Sequence, residues 1–245
     1  MNDFVIGCTH FGHRGICFHT NRLPWICDNP DYDTAKPYDF KKNNPKTINL
    51  KKHDEDLKSN WNSMVGRKDR IFILGDFAWK DHLQYILGLN GQKIFVSGNH
   101  DKMKQMSLSH FKEVHEIGCR KRVQEQDVTF SHYAMRSWAS SCYGSWMLYS
   151  HSHGRMPEFD NMFSFDCGVD IWGYAPVPWN AIVEKMRLVQ EKIDLAGGRF
   201  VDGEFAAKGV YDKDPDQRKL DTRAKNKQIM ISLGYPINEV MWPTT

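Results

Sequence analysis

Histidine, aspartate and asparagine recur in this sequence at one kind of place, just past a short apolar run. His10 follows Phe4-Val5-Ile6, Asp76 follows Ile71-Phe72-Ile73-Leu74, and Asn99 and His100 follow Ile94-Phe95-Val96. His132 follows Val128-Thr129-Phe130, while His151 and His153 follow Trp146-Met147-Leu148-Tyr149. Imidazole nitrogens suit first-row transition metals, and Asp and Asn oxygens suit harder cations such as Mn²⁺. One carboxylate can bridge two cations about 3.5–4 Å apart, the spacing of two-metal phosphoryl chemistry, and Asp76 is the natural bridge. In His151-Ser152-His153 the two-residue period of an extended segment would place both imidazoles on one side.

Residues so far apart in sequence meet only if the elements carry them to one crevice. Residues 3–7, 70–74 and 94–96 read as buried strands. Between them, Leu50, Leu57, Trp61 and Met64-Val65 predict a helix over 49–65 stopped by Gly66, and Leu83, Ile86, Leu87 and Leu89 predict another over 81–90. This alternation predicts an α/β fold with a mainly parallel sheet, whose strand ends gather their loops around one crevice. After Phe111 the pattern changes to a hairpin (119–123 with 128–130), strands at 146–149 and 162–165, and a helix over 178–193. Residues 20–46, rich in Asn, Asp, Pro and Lys, have no period and predict an irregular insertion. Beyond Ala196 the chain is polar and broken by Gly and Pro, with a short apolar piece near 229–233. The expected organisation is a catalytic domain over 1–195 with a polar extension, 196–245, packed on it.

Bulk properties narrow the classes. With 245 residues, 40% hydrophobic and 26% charged, the chain has the balance of a globular protein and not of a disordered one. No apolar run approaches the roughly 18 residues of a membrane span. Met1 to Ile6 carries no basic region or cleavage site, so a cytoplasmic location is expected. A net charge of +3 accords with a phosphate-bearing substrate without requiring one. Six cysteines without a C-x-x-C pair read as reduced thiols, and Cys17, Cys27, Cys119, Cys142 and Cys167 as structural ones. The stretches Lys41–Lys52 and Lys208–Lys227 could guide a nucleic acid, but a solvated face explains them as well.

Five blocks then occur in order: Thr9-His10-Phe11-Gly12-His13, Leu74-Gly75-Asp76-Phe77, Gly98-Asn99-His100-Asp101, Ser131-His132-Tyr133 and Ser150-His151-Ser152-His153-Gly154. They closely resemble the motif blocks of the calcineurin-like metallophosphoesterases. With Trp61-Asn62 and Gly168-Val169-Asp170, the pattern looks like a branch common in phages and bacteria, and the likeness covers about residues 3–180. The resemblance implies a four-layer αββα sandwich with a binuclear site at its strand ends. It also implies two divalent cations (Mn, Zn or Fe), a phosphate-ester or nucleotide substrate, and attack by a metal-bound hydroxide. His10 and His153 would hold the first metal, Asp76 would bridge, and Asn99, His132 and His151 would hold the second. His100 would help the leaving oxygen depart, as general acid or as donor. For a phage-encoded chain the location implied is the host cytoplasm.

Cys8 is the departure, since the family's first block begins Asp-x-His and this chain reads Cys8-Thr9-His10. Either Cys8 ligates as a thiolate and favours softer ions, or the first metal binds weakly, or the chain is a non-hydrolysing relative or an altered sequence. His13 either faces substrate or is a loop residue, and Arg155 either holds a phosphate oxygen or is a solvated arginine. Three classes follow: a phosphoesterase, a nucleotide- and metal-binding protein disabled at Cys8, and a structural metal protein.

Overall fold

A computed structural model describes residues 1–102, 108–159, 162–195 and 214–243. The first half runs β1 (Asp3–Ile6), α1 (Arg14–His19), β2 (Ile26–Asp28), β3 (Lys46–Ile48), α2 (Leu50–Met64), β4 (Arg70–Leu74), α3 (His82–Ile86), β5 (Gln92–Val96) and β6 (Glu113–His115). The second half runs β7 (Gly118–Val123), β8 (Gln126–Ser131), β9 (Trp146–Tyr149), β10 (Ser164–Asp166), β11 (Val177–Pro178), α4 (Trp179–Leu195) and α5 (Pro215–Ser232).

A five-stranded sheet has the order β11-β1-β4-β5-β6, parallel except at the β11 edge. Phe4–Ile6 of β1, Ile71–Leu74 of β4 and Ile94–Val96 of β5 are buried throughout, which is why they read as unbroken apolar runs. A four-stranded sheet has the order β10-β9-β8-β7, with β7 and β8 forming the expected antiparallel hairpin. The two sheets meet where Phe72 and Phe130 stack with ring centres 4.1 Å apart. Helix α4 packs on β1 and β11. Helix α2 is capped by Asn49, whose side chain accepts the Lys52 N–H, and it buries His53, Leu57 and Trp61 along one face.

Register places the site. Ile6 lies beside Ile73, and Leu74 beside Val96, so the loops after β1, β4 and β5 leave the first sheet together. In the second sheet Phe130 lies beside Leu148, which brings the loops after β8 and β9 together. A bridge between Gly7 and Gly168 joins the two groups of loops.

Several expectations need correction. The 20–46 segment is only partly irregular, because Leu23–Trp25 forms a 3-10 turn and β2 pairs with β3. Trp25 is buried there and donates its indole N–H to Asp56. Helix α3 spans five residues where 81–90 was expected. Polar sequence after 213 conceals an 18-residue helix, α5, which buries Lys219, Arg223 and Asn226 as well as Ile229 and Met230. Residues 196–213, including the start of the basic run at Lys208, lie outside the described residues. Cys27 and Cys142 are exposed, so they are not core thiols. Among the described residues no helix is long and apolar enough to cross a membrane.

Candidate metal centre

Five of the expected ligands have left-handed backbone. Cys8, His10, Asp76, His151 and His153 lie at φ between 50° and 67°. Non-glycine residues rarely adopt this region, and such strain gathers at functional sites. It also overturns the two-residue-period argument for His151 and His153. Strand β9 stops at Tyr149, the next residues form a turn, and the two imidazoles diverge. His151 packs against His132 with ring centres 4.9 Å apart, while His153 stacks on His10 at 5.3 Å.

Two triplets emerge, Cys8 with His10 and His153, and Cys8 with Asp76 and His132, each with its ligand atoms within 4.8 Å of one another. Cys8, fully buried, belongs to both. Asp76 Oδ2 lies 3.5 Å from His10 Nε2 and 3.4 Å from His132 Nε2. His132 Nδ1 is 2.8 Å from the Leu74 carbonyl, which can only accept, so that nitrogen carries the proton. His132 Nε2 therefore faces Asp76 Oδ2, Asn99 Oδ1 (3.1 Å) and His151 Nδ1 (3.1 Å), a convergence that calls for a positive charge. A proton can supply it, and so can a cation. On the other side, buried His10 Nε2 has no hydrogen-bond partner among the described residues. An orphaned nitrogen in a pocket of carboxylate, imidazole and thiol is what a metal site leaves behind, so these residues fit a cation.

Protonation follows environment. Burial pushes the Cys8 thiol well above its ordinary range, with Asp76 and Asp166 adding to the effect. A bound cation would reverse that order and take the thiolate. The His151 N–H already points at Cys8 Sγ, 3.1 Å away. Burial, then the neighbouring His153, holds His10 well below the usual imidazole range. Burial would raise Asp76, but its hydrogen bonds from His132 and from the His100 N–H outweigh that and hold it low.

Supporting groups fix these ligands. Asp101 accepts the N–H groups of Asp76, Phe77 and Gly98, which holds the loops after β4 and β5. Those loops approach so closely that a Cβ on Gly98 would lie 2.4 Å from Asp76 Oδ1. Asp170 Oδ2 sits 2.6 Å from His153 Nδ1, so the proton is on Nδ1 and Nε2 is free for a ligand. Asp170 is itself gripped by fully buried Arg22 through two hydrogen bonds of 3.1 and 2.9 Å. The same guanidinium donates to the carbonyls of Cys8 and Thr9 and to His53 Nε2. His53 in turn donates its Nδ1–H to Asp54, which also accepts the Gly12 N–H and the Tyr85 hydroxyl.

Arg22, His53 and Asp54 carried no signal in the sequence. Asp170 was visible beside Gly168 and Val169, but its role was not. Of the substrate-facing candidates, His13 stacks on Trp79 with ring centres 4.1 Å apart, and burial and His100 push it down to about 4. His100 is half-buried, 5.4 Å from the His10 ring. Arg155 is taken up elsewhere, donating to Asp216 of α5 and to the His19 carbonyl, both at 3.0 Å.

No family model matches the chain. It is similar to an uncharacterized protein of Methanocaldococcus jannaschii, 25% identical over 206 residues that cover 78% of this chain and 97% of the relative. It is also similar to the gene 66 protein of Mycobacterium phage D29, 24% identical over 171 residues, 57% of this chain and 85% of the relative. Among solved structures, a protein of unknown function from Aquifex aeolicus aligns with a TM-score of 0.51 at 19% identity, covering 75% of this chain and 98% of that one. That likeness is one of fold, mixed α/β, alone.

Proposed function

We propose that the chain is a metal-dependent phosphoesterase of the calcineurin-like kind. The observation that carries this reading is Asp76, whose Oδ2 stands between His10 Nε2 and His132 Nε2 at 3.5 and 3.4 Å. A carboxylate placed so between two imidazole groups suits a pair of cations. Cys8, His10 and His153 would hold one, and Asn99, His132 and His151 the other, with Asp76 shared. The two facing sheets, with α4 packed on one, support the αββα arrangement expected from the motifs. When bound, the cations supply Lewis-acid polarisation of the phosphoryl oxygens and a nucleophile at neutral pH.

The chain's own residues do the rest. His100 is held by its N–H on Asp76 Oδ1, 2.9 Å away, and its ring flanks His10 and His13. It donates to the departing oxygen. His13, held neutral and stacked on half-exposed Trp79, orients the ester by hydrogen bonding and adds no charge.

The test is hydrolysis of bis-p-nitrophenyl phosphate by metal-stripped protein resupplied with Mn²⁺, Zn²⁺ or Mg²⁺. Metal-dependent turnover that disappears in His132→Ala is expected, and turnover that survives His132→Ala rejects the site. A second reading, a protein that binds metal and nucleotide without turnover, draws on Cys8 standing where the family has Asp. It expects no activity from the natural chain and activity created by Cys8→Asp.

A further inference from the structure

Two buried arginines flank the ring of Tyr174, the Arg22 guanidinium 5.8 Å and the Arg223 guanidinium 5.0 Å from the ring centre. Arg22 turns Nε and Nη2 to the Asp170 carboxylate at 3.1 and 2.9 Å. Those N–H groups share one edge of the guanidinium, the fork that matches two oxygens of an oxyanion. Arg223 has the same edge, yet neither its Nε nor its Nη2 has a hydrogen-bond partner among the described residues. The Tyr174 hydroxyl does not serve them, since it too is without a partner there. The remaining nitrogen, Nη1, donates to the Pro243 carbonyl at 3.3 Å. Arg22 and Lys219 share Asp170, whereas no carboxylate pairs with Arg223 among the described residues. A guanidinium cannot shed its charge, and a buried one without an anion is costly.

A cavity of about 60 Å³ lies against this side chain, with Thr20, Leu23, Lys219, Arg223 and Pro243 among its walls. One water needs about 10–15 Å³, so the space suits an ion of a few atoms. Because Nη1 bonds to a wall residue, Pro243, the head of Arg223 stands at the cavity. Lys219, one turn earlier on α5, adds a second cation, its ammonium anchored on the Thr20 carbonyl. Burial holds that ammonium below its ordinary range; Asp170 opposes the effect, and Arg223, Arg22 and Arg155 add to it. Asp216, the acid on the wall, is mostly exposed and taken by Arg155 at 3.0 Å.

We infer that this cavity binds a small oxyanion of phosphate size, gripped by the Nε–Nη2 edge of Arg223 beside the Lys219 ammonium. A water could accept the two hydrogens but would bring no charge. Asp170 stands between this site and the candidate ligands, meeting Lys219 through Oδ1 and His153 through Oδ2. The site is therefore independent of the phosphoesterase reading.

The experiment measures binding of inorganic phosphate to metal-stripped protein by calorimetry, at constant ionic strength, with phenyl phosphate as a second probe. Wild type is expected to bind phosphate, and at about five times the dissociation constant to melt about 2–4 °C higher. Phenyl phosphate, whose ring the cavity has no room for, should bind at least tenfold more weakly. Arg223→Lys keeps the charge but not the fork, and should weaken phosphate binding at least tenfold. Leu23→Glu, at a 38%-exposed position on the wall, sets an anion against the incoming one without disturbing the core and should do the same. His132→Ala, in the candidate metal centre, should leave the affinity within twofold. No binding at millimolar phosphate, affinity unchanged in either wall variant, binding lost in His132→Ala, or phenyl phosphate bound as well as phosphate would each overturn the inference.

Discussion

The two walls of the candidate metal centre are held by different physics. The wall of Cys8, His10 and His153 leans on buried charge. Arg22 clamps Asp170, and through it His153, while donating to the backbone of Cys8 and Thr9. The wall of His132 and His151 leans on the backbone of the first sheet. His132 Nδ1 and Ser150 Oγ both bond to the Leu74 carbonyl, and the buried ion pair that His132 makes is with Asp76, which both walls share. A buried ion pair is costly to form and severe to break. A carbonyl anchor is cheap to form and mild to lose. One wall should therefore fail abruptly under mutation and the other by degrees.

Asp76→Ala belongs to both walls and should have the largest effect, abolishing turnover while the melting temperature stays near that of wild type. Near-normal turnover in that variant would remove Asp76 from the bridge. Arg22→Met strands Asp170 among buried groups and should cost about 3–5 kcal/mol by denaturant titration. A variant as stable as wild type would show that the first wall does not depend on charge. Asp170→Asn keeps the shape but loosens the hold on His153, and one of the two cations should bind about 10–100-fold more weakly by competition with a chelating dye. Equal weakening of both cations would merge the two walls into one. Ser150→Ala should be the mildest, about 1 kcal/mol of stability with little change in either affinity.

The same contrast explains what could be read in the sequence. The positions of the candidate ligands were legible because each stands where an apolar strand ends in Gly or a polar pair, as in Leu74-Gly75-Asp76 and Val96-Ser97-Gly98-Asn99. How His151 and His153 point was not legible, because left-handed backbone breaks the strand period that the argument assumed. Arg22 was hidden for another reason. It lies in a stretch without periodicity, and its partners come from residues 8, 9, 53 and 170, so no local pattern marks it. Helix α5 escaped notice because its buried face is built largely of Lys219, Arg223 and Asn226, which read as solvent-facing residues. Burial of charge is settled by tertiary partners, and those leave no trace in a hydrophobic pattern.

Lys219 has a consequence for the order in which the protein becomes competent. Its ammonium reaches the carbonyl of Thr20 and stands 3.6 Å from Asp170 Oδ1, while Asn226 bonds to the Ile171 carbonyl at 3.0 Å. Every candidate ligand has been synthesised once His153 is added, yet this last counter-charge is made only with α5. Chains fold from the N-terminus as they are made, so a nascent chain carries a complete set of ligands before it has the means to hold them in place. The centre ripens only once α5 has been made.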